Sequence, residues 1–405
     1  MRPVRATGLR ASSSSSVIPT RVKMVEVGAR DGLQSELLPV STADKVRLVD
    51  MLSGTGMPVI EATAFVSKRK VPMMADAEDV YTSIRKVPGV AYPVLTPTLG
   101  NLERALSCGV KEVAVFTAVS ETFTQRNIGS TIEESFARFE PLVDRALQEG
   151  VAVRGYISCV AGCPYEGSVS QERVVEVAQR LYGMGIYEIS LGDTIGIGNP
   201  GQVARLVRAV SAKVPHTALA AHFHDTYGQA LSNILVAVQE GVMTVDSAVA
   251  GLGGCPYAKG ASGNVATEEV IYMLAGLGIE TGVDLERVIE AGCFISGVLK
   301  RETMSRVAGS ILRRRSVSVP VRYREVLQAA LSDGMIDPSE RHFLTQHRLR
   351  HKVSDGALRR RSLIDGRRSL IDGRRSLIRP SPRPSLWPSP RRSPRPSSQT
   401  LHLQA

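Results

Sequence analysis

His222 and His224 stand two residues apart in Leu219-Ala220-Ala221-His222-Phe223-His224-Asp225-Thr226-Tyr227-Gly228, between small apolar residues and a polar turn. On a strand, residues i and i+2 share a face, so both imidazoles would point the same way at its carboxyl end. Two parallel imidazoles suit a divalent metal; two rings packed into an apolar barrel interior are the competing explanation. Asp31, after an apolar run at 23–27, and Asn264, after Gly263, supply two oxygens to go with the two nitrogens. That set suits a hard-to-borderline cation, Mg²⁺ or Mn²⁺, with positions left open for substrate. Arg30, adjacent to Asp31, can donate to an oxygen on which negative charge develops. Glu61, Asp193 and Glu268 are candidates for orienting the ligands or a substrate hydroxyl, because a ligating histidine usually has a partner on its other nitrogen. Cys255 lies next to Gly251, Gly253 and Gly254, where glycine frees the backbone. A metal, an arginine and a thiol, with no phosphate-cradling lysine, point to chemistry beside a carbonyl.

These residues need a scaffold that collects them on one rim. Short β-branched runs at 23–27, 59–62, 91–95, 112–116, 151–157, 188–191, 219–223 and 244–249 alternate with helical periodicity at 43–54, 75–86, 100–108, 132–148, 170–184, 200–213, 229–240 and 267–277. Eight strand-helix units predict a closed parallel (β/α)₈ barrel, a TIM barrel, with a further helix near 284–300. No Gly-x-Gly-x-x-Gly follows the first strand, which speaks against a dinucleotide fold. In such barrels the carboxyl ends of the strands build the site. Arg30 and Asp31, Glu61, Asp193, the two histidines and the glycine loop all follow strands, whereas the strand interiors read as apolar.

The net charge of +11 invites a nucleic-acid reading, but it belongs to the two ends. Residues 25–312 are net acidic, so the high charge says nothing about the partner of the central domain. Residues 1–20 are Arg- and Ser-rich without an acid, the composition of a mitochondrial transit peptide. The barrel is assigned to 21–312. Residues 313–358 read as a helical hairpin, with Val326, Leu327, Ala330 and Leu331 on one side of a turn and Phe343, Leu344 and Leu349 on the other. In 359–405, Ser362-Leu363-Ile364-Asp365-Gly366-Arg367-Arg368 repeats in register at 369–375, and Arg, Ser and Pro then dominate; this tail is expected to be disordered and solvated, with nucleic-acid contact the disfavoured reading of its charge. No apolar run reaches 18 residues, so no membrane span is expected. Five cysteines in so long a chain fit a reducing compartment, with Cys159 and Cys163 as structural thiols.

Arg30-Asp31-Gly32-Leu33-Gln34, Gly192-Asp193-Thr194, His222-Phe223-His224-Asp225 and above all Val249-Ala250-Gly251-Leu252-Gly253-Gly254-Cys255-Pro256-Tyr257 resemble the 3-hydroxy-3-methylglutaryl-CoA lyase family, from about Val22 to Val307. The resemblance implies a metal-dependent TIM-barrel lyase that acts on an acyl-CoA, a homodimer, and residence in the mitochondrial matrix. It also implies that Cys255 protonates the acetyl-CoA enolate. A Claisen-type acyl-CoA synthase on the same barrel, and a non-enzymatic binding protein acting through its basic tail, are the competing readings. The Gly-Gly-Cys-Pro loop and the complete ligand set speak against them.

Overall fold

The computed structural model describes residues 18–254 and 263–317. The strands are β1 (Lys23–Glu26), β2 (Val59–Ile60), β3 (Thr63–Ala64), β4 (Val94–Leu95), β5 (Glu112–Ala118), β6 (Ala152–Ser158), β7 (Glu188–Asp193), β8 (Leu219–Phe223) and β9 (Thr244–Ser247). They form one sheet in the order β2-β1-β9-β8-β7-β6-β5-β4-β3. Every pairing is parallel, so each strand must cross over through a helix and is buried on both faces.

The two edge strands of that order are halves of one segment, and they close the sheet into a barrel. The Glu61 N–H donates to the Glu26 carbonyl (2.9 Å) and the Ala62 N–H to the Pro93 carbonyl (3.0 Å), so the segment bonds β1 with its first half and β4 with its second. The single run expected at 59–62 is therefore interrupted and continues to Ala64. Pro93 supplies the reason: it accepts from Ala62 but has no N–H to return, and the ladder breaks at that point.

The expected helices are present within a residue or two of their predicted ends, except that the one expected at 75–86 stops at Ser83, and side-chain caps account for several starts. Ser41, Thr98, Ser170, Asn199 and Asp284 each accept a backbone N–H in the first turn of the following helix, and Thr131 with Glu134 forms a full capping box. Two helices, Glu121–Ile128 and Arg306–Val317, were not expected; Ser120 caps the first and Gly129, at φ +66°, ends it. The described residues up to Gly309 belong to one compact unit.

Strand interiors are not uniformly apolar, contrary to the sequence reading. Arg154 on β6, Glu188 on β7 and Asp246 on β9 are all buried inside the barrel. Arg154 Nε donates to Glu188 Oε1 (2.8 Å) on the neighbouring strand and its Nη2 to Asp246 Oδ1 (2.7 Å) across the barrel, so each charge meets an opposite one. Among the described residues no helix is long and apolar enough to cross a membrane. Of the hairpin assigned to 313–358 only 313–317 are described, and they continue the helix Arg306–Val317; the rest of it, the tail at 359–405, most of the N-terminal leader, and Cys255 lie outside the described residues.

Candidate active site

The turn that follows β1, Gly28–Gly32, carries Arg30 and Asp31. It is a π-type turn, with the Gly32 N–H donating to the Val27 carbonyl (3.2 Å). Gly32 has to be glycine, since a Cβ there would lie 2.6 Å from Leu252 Cβ on the segment after β9. The turn is thereby pressed against the stem of the glycine loop.

Arg30 is almost wholly buried. Its Nε and Nη2 lie 2.8 and 2.7 Å from Glu61 Oε2, and its Nη1 lies 2.8 Å from Asp31 Oδ1. Tyr156 donates its hydroxyl to the same Glu61 oxygen (3.1 Å) and lays its ring 5.4 Å from the guanidinium. Burial raises the Glu61 carboxyl above its ordinary range, against the pull of Arg30, and Glu61 Oε1 is buried without a partner. Burial would also raise Asp31, but Arg30, His222, His224 and the Asn264 amide together hold it below the usual carboxylate range.

His222 ends up beside Asp31, with Nε2 4.0 Å from Asp31 Oδ2. Its Nδ1 lies 3.2 Å from Asp246 Oδ2. Asn264 donates Nδ2–H to Asp31 Oδ2 (2.8 Å) and pairs through its backbone with His224. His224 is buried, and burial together with the neighbouring His222 lowers its imidazole to about 4, so the ring is neutral at physiological pH. Its Nδ1 is buried with no hydrogen-bond partner. One donor atom each from Asp31, His222 and His224 lies within 4.8 Å of the others. An anionic carboxylate at Asp31, the neutral imidazole of His224 with its unpartnered buried ring nitrogen, and the adjacent His222 ring suit a divalent cation, and the amide oxygen of Asn264 would complete the set.

The other predicted residues make different contacts. Asp193 turns toward its own loop, accepting the N–H of Gly198 on Oδ2 (2.8 Å) and that of Ile197 on Oδ1 (3.3 Å). Glu268 accepts the Ala250 N–H on both oxygens (3.0 and 3.1 Å), and burial raises its carboxyl to about 8. It therefore holds the left-handed bend at Ala250, φ +57°, from which the glycine loop departs. Glu26, which the sequence reading did not single out, braces the same bend: its Oε1 accepts from Gly28 N–H (2.8 Å) and Val249 N–H (2.9 Å). Asp246, Arg154 and Tyr156 were also missed. The available signal was a charged residue within an otherwise apolar strand, which burial permits only with a partner.

The Gly263 N–H donates to the Gly253 carbonyl (3.1 Å), so the two ends of the segment that carries Cys255 meet next to Asn264. Gly253 sits at φ +98°, and a Cβ on it would come within 2.9 Å of Asn264 Nδ2. Cys159 and Cys163 are buried, as expected of structural thiols. Cys163 Sγ contacts Ser120 Oγ (3.0 Å) and the N–H groups of Tyr165 and Glu166 (3.3 and 3.4 Å).

The HMGL-like family model matches residues 21–295, which contain every site residue described above. The chain belongs to the hydroxymethylglutaryl-CoA lyase family. The mitochondrial hydroxymethylglutaryl-CoA lyase of Mus musculus is 60% identical over 309 residues, covering 76% of this chain and 95% of the relative. The cytoplasmic 3-hydroxy-3-methylglutaryl-CoA lyase of the same species is 56% identical over 298 residues, covering 74% and 87%. The crystal structure of hydroxymethylglutaryl-CoA lyase from Pseudomonas aeruginosa superposes with a TM-score of 0.72 at 54% identity, covering 73% of this chain and 99% of that one. Similarity to lyases of this family thus spans the barrel and its rim together.

Proposed function

We propose that this protein cleaves 3-hydroxy-3-methylglutaryl-CoA into acetyl-CoA and acetoacetate. The observation that carries the reading is the cluster of Arg30, Asp31, His222, His224 and Asn264 at the carboxyl ends of the barrel strands, in a chain that matches lyases of this specificity along the whole barrel. The reaction breaks the bond between C2 and C3 of the substrate. The C3 hydroxyl loses its proton and becomes the ketone of acetoacetate, while C2 leaves as the enolate of acetyl-CoA and takes up a proton.

Asp31, His222, His224 and Asn264 would hold the divalent cation, Mg²⁺ or Mn²⁺. When bound, it supplies Lewis acidity that lowers the pKa of a substrate hydroxyl. Arg30 stays charged between Glu61 and Asp31, and places its guanidinium where the thioester oxygen gains negative charge. Glu61 and Tyr156 keep that guanidinium from turning away. Cys255 donates the proton to C2, a reading supported by the anchoring of both ends of its segment beside Asn264. Asp193 and Glu268 serve by holding the loop after β7 and the bend before Cys255. The working assembly is a homodimer, and the Arg/Ser-rich leader together with the mitochondrial relative supports residence in the mitochondrial matrix.

Purified protein incubated with the thioester should release acetoacetate. Chelation with EDTA should abolish release, and added Mg²⁺ or Mn²⁺ should restore it. Undiminished release after exhaustive chelation would rule out the metal reading, and no release under any metal would rule out the substrate.

A further inference from the structure

The sequence pointed to Glu61, Asp193 or Glu268 as the partner that orients the histidine ligands, yet each of these is committed elsewhere in the structure. The residue that meets His222 is Asp246. Strands β8 and β9 pair in register at Ala220↔Thr244 and Ala221↔Val245, and the next step of that ladder sets His222 beside Asp246. Asp246 is buried at 2% exposure and held from three sides. Its Oδ1 accepts from Arg154 Nη2 (2.7 Å), and its Oδ2 accepts from Ser190 Oγ (2.7 Å) and Arg154 Nη1 (3.1 Å). Arg154 is itself fixed, because Glu188 Oε1 receives its Nε and Glu188 Oε2 receives Thr244 Oγ1 (2.9 Å) and Lys23 Nζ (2.5 Å). A chain of alternating charge thus runs through the barrel interior from Lys23 to His222.

We propose that Asp246 is the positioning residue that fixes the tautomer of His222, holding the proton on Nδ1 so that the Nε2 lone pair faces Asp31. The chemistry follows from the donor inventory. An ionised carboxylate only accepts, so the imidazole nitrogen bonded to it must carry the hydrogen, and the opposite nitrogen of the neutral ring is left as the acceptor. That acceptor is the nitrogen 4.0 Å from Asp31 Oδ2. Arg154 and Ser190 leave Asp246 no rotamer freedom, so the ring plane is set as well as the tautomer. This inference rests on the assignment of His222 as a metal ligand.

The test uses the full chain stripped of metal, with Mn²⁺ alone as the probe, titrated by the electron paramagnetic resonance of the free ion. The His222 ring is followed in ¹⁵N-histidine-labelled protein and assigned by the signals lost in His222→Ala. Wild-type protein should show His222 protonated on Nδ1. In Asp246→Asn the amide can donate to Nδ1 and drive the proton to Nε2, so Mn²⁺ affinity should fall roughly 10–100-fold, the usual cost of losing an outer partner of a ligating histidine. A purely structural role for Asp246 would leave the tautomer unmoved. Asp246→Asn protein that binds Mn²⁺ like wild type, while His222→Ala does not, would overturn the inference and leave the ligand assignment standing. Normal Mn²⁺ binding by His222→Ala would overturn the ligand assignment itself. If Asp246→Asn fails to fold, the wild-type spectrum decides, since a ring protonated on Nε2 at neutral pH contradicts the proposal.

Discussion

Arg30→Gln is expected to lower kcat for carbon–carbon cleavage of 3-hydroxy-3-methylglutaryl-CoA by ~10²–10³, the cost of removing one donor from a site of developing negative charge. The guanidinium is buried between two carboxylates, with three of its nitrogens within 2.8 Å of a carboxylate oxygen. It cannot serve as a surface ion pair, and its burial makes its charge felt at short range. Glutamine is neutral and keeps one amide donor, so it tests charge more than shape. The same change leaves Glu61 and Asp31 without their shared counter-ion, and breaking a buried pair typically costs about 3–5 kcal/mol of stability. Circular dichroism at the assay temperature must therefore accompany the kinetics. Arg30→Lys keeps the charge but not the planar fork, and should remain well below wild type. A folded Arg30→Gln enzyme within tenfold of wild type would remove Arg30 from the reaction.

Asp31→Asn should weaken Mn²⁺ binding by more than ~10², beyond the loss expected for an outer partner. Asp31 is the only carboxylate among the three clustered donors, and two further contacts depend on it. One oxygen holds Arg30 Nη1 and the other holds the Asn264 amide, so losing its charge loosens a second ligand as well. Turnover should fall with metal occupancy, and excess Mn²⁺ should recover part of it. A purely structural defect would not respond to the metal. Wild-type Mn²⁺ affinity in this variant would show that the cation sits elsewhere.

The barrel was legible in the sequence because parallel strands buried on both faces write themselves as short apolar runs, such as Leu219-Ala220-Ala221, and because Ser, Thr, Asn and Asp mark the helix starts they cap. The rim residues were legible for a related reason: polar side chains directly after an apolar strand have to sit at its carboxyl end. What stayed hidden depended on partners far away in sequence. Arg154 and Asp246 are 92 residues apart and become intelligible only as a pair across the barrel. The interruption of the second strand needed the knowledge that Pro93 lies opposite. The helix Glu121–Ile128 lacks an apolar stripe long enough to announce itself, although its cap and its terminal glycine were both visible. Glu268 was read as supporting the ligands, and its contacts place it one step further out, on the bend that launches the glycine loop.

Cleavage of a carbon–carbon bond with protonation of the departing enolate leaves an isotopic signature in the product. It is tested most directly by nuclear magnetic resonance of 3-hydroxy-3-methylglutaryl-CoA turned over in D₂O with Mg²⁺ present. Acetoacetate and acetyl-CoA should appear in equal amounts, the acetyl methyl of newly formed acetyl-CoA carrying one solvent deuteron. Failure to cleave the C2–C3 bond, or acetyl-CoA released without a deuteron from solvent, would contradict it.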